Sequence, residues 1–208
     1  MTWQEEAGAA AREAVFGRAL ADSVAAIEAI RIPYCVIGGL ASAAVGRPRW
    51  TRDIDFMVHP ADARKALESL ARAGFRTEET DQTWLYKGFK EDVLVDIIFQ
   101  VHGIYMDDEM WGRAERAEVL GVAFRALAPE DLLVMKAIVH EEKTPRHWHD
   151  GLSVISGREL DWDYLVRRAK AGPRRVLSLL VYAQSNDLVV PDQVIRQLVD
   201  LVYGPKPV

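Results

Sequence analysis

The segment DIDFMV, residues 53–58, constrains this chain more than any other. Acid and apolar residues alternate there with a period of two, the pattern of a β-strand with one polar and one buried face. Asp53 and Asp55 then project from one side, while Ile54 and Phe56 face a core. Mg²⁺ is a hard cation that takes carboxylate and phosphate oxygens, and two carboxylates spaced by a strand backbone can bridge it. A third must come from a neighbouring strand. Asp96 suits that place, because a lone acid inside the apolar run VLVDIIF (93–99) is costly to bury unless a metal or an attacking hydroxyl partners it.

Upstream, YCVIGG (34–39) is a short β-favouring run ending in two glycines, and LASAAVG (40–46) has the small-residue composition of a helix packed close against it. Gly38 and Gly39 can bring backbone N–H groups up to a triphosphate at a helix N-terminus. Ser42, in the first turn after them, is either a further hydroxyl for the phosphates or a small helix residue with no ligand.

Around this centre the chain reads as α/β. An Ala-rich helix, either one long helix or a broken one, is expected from Glu5 to Ile30, closed by Pro33, and a helix from Pro60 to about Arg72, stopped by Gly74. Strands follow at 83–89 and 93–99, then a short helix near 106–112 and β-like stretches at 117–120 and 123–127 flanking Gly121. From Pro129 the pattern is helical: 130–142, 146–156, 161–171, 173–185 and 191–203, punctuated by Gly157, Gly172, Pro173 and Pro191. The expected plan is a core with its N-terminal helix over 1–128 and a C-terminal helical region over 129–208 packed on it.

Composition narrows the function classes. No apolar run approaches the roughly 18 residues of a spanning helix, and the acidic start MTWQEEAGAAAREA lacks the basic opening of a signal peptide, so no membrane partner and a cytoplasmic location are expected. A single cysteine, Cys35, among apolar neighbours reads as a buried structural thiol and leaves no disulfide framework. A formal net charge of -5 argues against a surface that grips nucleic acid all over. Local basic clusters remain at Arg47, Arg49 and Arg52, and from Arg167 to Arg175, where a solvated helix face is the simpler reading. Trp50, Trp84 and Trp148 are candidate stacking surfaces for a base, with packing as the default role.

VIGGLASAAVGRPRWTRDIDFMV resembles the signature of the nucleotidyltransferase superfamily, whose fold is that of DNA polymerase β. The R-x-T-x-D-I-D form (Arg49, Thr51, Asp53, Asp55) is most similar to the AbiEii-like branch, which includes toxins of bacterial toxin–antitoxin pairs. PEDLLVMKAIVH, PRHWHDGLSVIS and LDWDYLVRRA resemble that branch's lysine-bearing helix, basic-acidic pair and closing helix, so the likeness covers roughly residues 34–171. It implies a polymerase β-like core of mixed sheet flanked by helices, with transfer of a nucleoside monophosphate from a triphosphate to a hydroxyl. Asp53, Asp55 and Asp96 would ligate Mg²⁺, two ions in the family's scheme with Mn²⁺ as a substitute, and Asp96 would also help deprotonate the acceptor.

Lys136 would neutralise phosphate charge, and on a helix it shares a stripe with His140 and Lys143. Arg49 would contact phosphate or acceptor from the loop before the strand, with Arg47 the weaker candidate for the same role. Where the branch shows Lys-Asp, this chain has His149-Asp150, and a histidine is fully charged only below about pH 6.5 unless perturbed. His147 and His149 form H-x-H, but residues two apart on a helix diverge, so a zinc site is not expected. The implied partners are a nucleoside triphosphate, an RNA (tRNA) or protein acceptor, and a cognate antitoxin. Two other readings use the same residues: a non-catalytic member that binds nucleotide or a partner, and an adenylyltransferase acting on a small antibiotic.

Overall fold

The computed structural model describes residues 3–47 and 49–205, with side chains from Gly8 onward; Pro48, inside the motif, lies outside them. A seven-stranded mixed sheet forms the centre, in the order β3-β4-β5-β2-β1-β7-β6. Its strands are β1 (Tyr34–Val36), β2 (Asp53–Val58), β3 (Arg76–Asp81), β4 (Leu85–Lys90), β5 (Val93–Ile98), β6 (Glu115–Val119) and β7 (Val122–Ala126). β2 runs parallel to β5, and β1 parallel to β7; the other neighbours are antiparallel.

Helices cover the sheet. The first, α1 (Trp3–Ala29), is one unbroken helix whose Phe16, Leu20, Val24 and Ile27 are buried at steps of three and four. The next, α2 (Gly38–Val45), starts at the glycine pair itself, so those glycines belong to the helix's first turn and not to the end of the strand. α3 (Ala63–Arg72) leans on α1, with the Ser69 hydroxyl donating to the Ala26 carbonyl at 2.6 Å, and Gly74 ends the segment at φ 86°. After the short α4 (Asp108–Arg113), the helical half comprises α5 (Pro129–Val139), α6 (Arg146–Gly157), α7 (Trp162–Arg168), α8 (Pro173–Gln184) and α9 (Asp192–Tyr203). One apolar cluster runs from Phe16 to Leu198, so the change of character at Pro129 is a change from strands to helices within a continuous core.

β3 has no counterpart among the strands expected from the sequence, because RTEETD has no apolar alternation: it is an edge strand, bonded only to β4 and mostly exposed. α5 stops at Val139 and His140 is extended (ψ 134°), so Lys136, His140 and Lys143 do not form one helical stripe. The cation row ends at Lys136. His140 instead stacks on Trp148, with ring centroids 4.7 Å apart. Cys35 is fully buried, and burial pushes its thiol up to about 12.

Candidate active site

β2 sits between β5 and β1, so its Asp-bearing face is framed by the two elements the site needs. In the parallel pairing Asp55 lies opposite Asp96, and in the antiparallel pairing beyond it Asp96 lies opposite Lys87. A lateral row results: Asp55, Asp96, Lys87. Asp53 precedes Asp55 on the same face, half-buried, and accepts a short hydrogen bond from the Thr51 hydroxyl. Asp96 accepts from Lys87 Nζ at 3.0 Å.

Asp55 is the most constrained of the three. Its side chain is buried, and burial, followed by the charges of Asp53 and Asp96, pushes its carboxyl up to about 7 against the opposing pull of Lys136 and the Gly39 amide. Asp96 is also raised, chiefly by burial and secondarily by Asp53, with Lys87 opposing. Among the described residues no three His, Cys, Asp or Glu side chains are gathered at metal-ligating spacing. Even so, three carboxylates on adjacent strands put more negative charge in one place than the neighbouring cations neutralise. Hard oxygen donors in such an excess suit a divalent cation of the Mg²⁺ class.

Gly38 lies directly on Asp55, and Gly39 on Thr51 and Arg49. Gly38 adopts φ 66°, and a Cβ there would fall 1.8 Å from Asp55 Oδ2; on Gly39 it would fall 2.6 Å from Thr51 Oγ1. Gly38→Ala is therefore expected to destabilise the fold by about 1–3 kcal/mol, through the left-handed backbone and the displaced carboxylate together. Thermal unfolding measures the first effect and nucleotide transfer the second. Ser42 does not join the cleft: buried, it donates to the Gly38 carbonyl at 2.7 Å and so serves its own helix.

Across from the acids, α5 and α6 supply a buried charge cluster. Arg49 donates to Asp150 through Nε at 2.7 Å and Nη2 at 2.8 Å, and Lys136 Nζ donates to the same carboxylate at 2.7 Å. Burial pushes Asp150 up, but these two cations outweigh it and hold it below the usual carboxylate range. Lys136 is itself lowered, by burial first. Asp150, which the sequence left in doubt beside His149, is the hub joining Arg49 to Lys136.

Asp53, Asp55, Gly38, Gly39, Arg49 and Lys136 line one cleft of about 620 Å³ together with Trp84, Gln100 and His147; Asp96 and Asp150 stand behind its lining. His147 faces it and is driven down to about 4, by burial first and then by Lys136 and Arg146. His149 is exposed and borders a separate groove with Arg47, so the two histidines diverge as expected. Trp50 packs on Phe16 outside the cleft, and Trp148 lies between His140 and Tyr182. Of the basic residues near the C-terminal helices, Arg167 and Arg168 are ion-paired with Glu109, Asp107 and Asp131.

Sequence reasoning missed Lys87. The two-residue turn Glu91-Asp92 would have revealed it, since pairing Lys90 with Val93 counts back to Lys87 opposite Asp96.

Residues 2–188 match the pattern of a family described as "Uncharacterised nucleotidyltransferase". No curated protein matches the sequence. Among solved structures, the solution structure of the antibiotic-resistance factor ANT(2'')-Ia superposes with a TM-score of 0.52 at 16% identity, over 84% of this chain and 94% of that one. MenT4, a nucleotidyltransferase toxin from Mycobacterium tuberculosis H37Rv, gives 0.48 at 12% identity, over 86% and 68%. The lincomycin-bound lincosamide antibiotic adenylyltransferase LnuA gives 0.46 at 15% identity, over 63% and 90%. At such identities the first likeness speaks for the fold. No described helix is long and apolar enough to cross a membrane.

Proposed function

This chain belongs to the nucleotidyltransferase family, and from that premise we propose that it transfers a nucleoside monophosphate from a triphosphate to a hydroxyl of an RNA, a tRNA end included, or of a protein, in a metal-dependent reaction. The observation that carries the reading is the register that sets Asp96 beside Asp55 on adjacent strands, with Asp53 and Asp55 lining one cleft together with the glycine pair, Arg49 and Lys136. Asp53 and Asp55 would hold Mg²⁺ or Mn²⁺, with Asp96 contributing an oxygen. Bound there, the cation supplies the charge neutralisation that an in-line displacement at phosphorus requires.

The chain's own residues do the rest. Gly38 and Gly39 let the backbone approach the phosphates where a side chain would collide. Lys136 and Arg49, fixed in position by Asp150, present positive charge to the triphosphate tail. Asp96 takes the proton from the acceptor hydroxyl; its raised affinity for a proton suits a base, and Lys87 orients it. A role as the toxin of a toxin–antitoxin pair, acting in the cytoplasm and held in check by a cognate antitoxin, is consistent with the R-x-T-x-D-I-D segment. A small hydroxyl-bearing molecule such as an antibiotic is the second acceptor class, favoured by a cleft volume of about 620 Å³, within the range of small-ligand pockets.

The test is incubation with each labelled triphosphate, Mg²⁺, and total RNA, cell lysate or a panel of hydroxylated antibiotics. Label entering one acceptor, with pyrophosphate released and the signal lost in Asp53→Ala, supports the proposal. Mg²⁺-dependent triphosphate binding with no product for any acceptor would instead favour a non-catalytic member of the family.

A further inference from the structure

We propose that Trp84 is the platform on which the acceptor stacks a base, so that the acceptor is a single-stranded RNA end. The inference rests on the transferase reading above and adds the acceptor's chemistry to it.

Geometry decides which end of the cleft receives the acceptor. In an in-line displacement the attacking oxygen and the departing pyrophosphate lie on opposite sides of phosphorus. Gly38 and Gly39, in the first turn of α2 just after β1, with Arg49 and Lys136, gather the triphosphate on one side of the carboxylates. Across the sheet from β1 come β2, β5 and then β4, three strand spacings or roughly 14 Å away. Trp84 lies in the turn immediately before β4 and lines the same cleft. It precedes Lys87, the residue opposite Asp96, by three positions, at most about 10 Å along the chain. A ribose that offers a hydroxyl to Asp96 can lay its base across that gap.

The indole is also built to receive a ring. It is 41% exposed, and its Nε1–H donates to Asp81 Oδ2 at 3.1 Å, while the backbone that carries it is held by the Trp84 N–H donating to the Asp81 carbonyl at 3.3 Å and by the Trp84 carbonyl accepting from the Phe99 N–H at 3.0 Å. A rigid aromatic loses little further freedom on binding, which favours stacking. Nucleobases suit it because each has a π-face, so stacking tolerates any sequence. Gln100 lines the same end and brings an amide that can donate to and accept from a base edge. A serine, threonine or tyrosine hydroxyl on a folded protein carries no base for this platform to hold.

The experiment measures equilibrium binding of a short fluorescein-labelled single-stranded RNA to wild type, Trp84→Ala and Trp84→Phe, with triphosphate affinity measured on the same proteins. Trp84→Ala is expected to weaken RNA binding about 5- to 150-fold, Trp84→Phe to restore most of it, and neither to move triphosphate affinity. A merely structural tryptophan would shift both ligands and the melting temperature together. Undiminished RNA binding by Trp84→Ala, or no RNA binding by wild type, overturns the proposal, as does labelling of a protein that Trp84→Ala sustains. Binding needs no turnover, so a wild type that holds RNA through Trp84 but labels nothing would reject the transferase reading alone.

Discussion

Asp55→Asn is expected to lower nucleotidyl transfer by at least about a thousand-fold and, in the same protein, to raise stability at neutral pH when divalent cations are chelated. The first effect follows from removing a charge on which the reacting centre depends, since a single electrostatic contributor is commonly worth about 10²–10³ in turnover and here it also anchors the metal. The second follows from burial. Asp55 is pushed up to about 7 because its ionised form is desolvated and sits beside Asp53 and Asp96. The folded state thus holds this proton more tightly than the unfolded chain does. Its contribution to stability is complete below about pH 4 and is lost as the pH rises towards 7. Asparagine keeps the shape without the charge. Its gain over wild type should be absent near pH 4 and grow to a few kcal/mol by pH 8, or several degrees in melting temperature. Melting curves across that range in chelator, paired with a labelled-triphosphate assay, measure both halves. A variant both inactive and less stable at pH 8 would mean that Asp55 holds the fold together instead of straining it.

Asp150→Ala is expected to be the most destabilising single change at the site, by about 3–5 kcal/mol, or roughly 6–20 °C in melting temperature. Lys136 and Asp150 are both buried, and Asp150 also takes two hydrogen bonds from Arg49. Deleting the carboxylate leaves an ammonium in a low-dielectric site with no ion-pair partner. Replacing Lys136 as well, in the double variant Asp150→Ala with Lys136→Met, removes that charge and should recover a large part of the loss. Because Asp150 is held below the usual carboxylate range, its contribution persists at neutral pH and fades only as the pH falls through the acid range. Additive losses in the double variant would show that the pair is not coupled.

The legible parts of this site were those with a local signature. Period-two alternation gave the shared face of Asp53 and Asp55, and an acid alone in an apolar strand marked Asp96, whose register beside Asp55 the parallel pairing supplies. Glycines 38 and 39 were marked by composition, and the positive φ of Gly38 gives the physical reason. The Arg49–Asp150 contact joins residues about a hundred positions apart, and nothing local to either predicts it. Ser42 had the right position for a phosphate ligand, but a helix offers its own carbonyl to a serine in the first turn, and that nearer acceptor won. Likewise β3 escaped notice because strand character there comes from pairing with β4 and not from burial. Trp84 differs from Trp50 and Trp148 only in what surrounds it.

The central claim is that the Asp53, Asp55 and Asp96 row holds a divalent cation with the triphosphate. Calorimetric titration of Mn²⁺ at pH 6, in the presence of a non-hydrolysable triphosphate analogue, tests it most directly. Wild type should bind the ion and release a proton as it does so, because Asp55 must ionise to become a ligand, and Asp55→Asn should lose both the affinity and the proton. Equal affinity in the two proteins, with no proton released by either, would contradict the account.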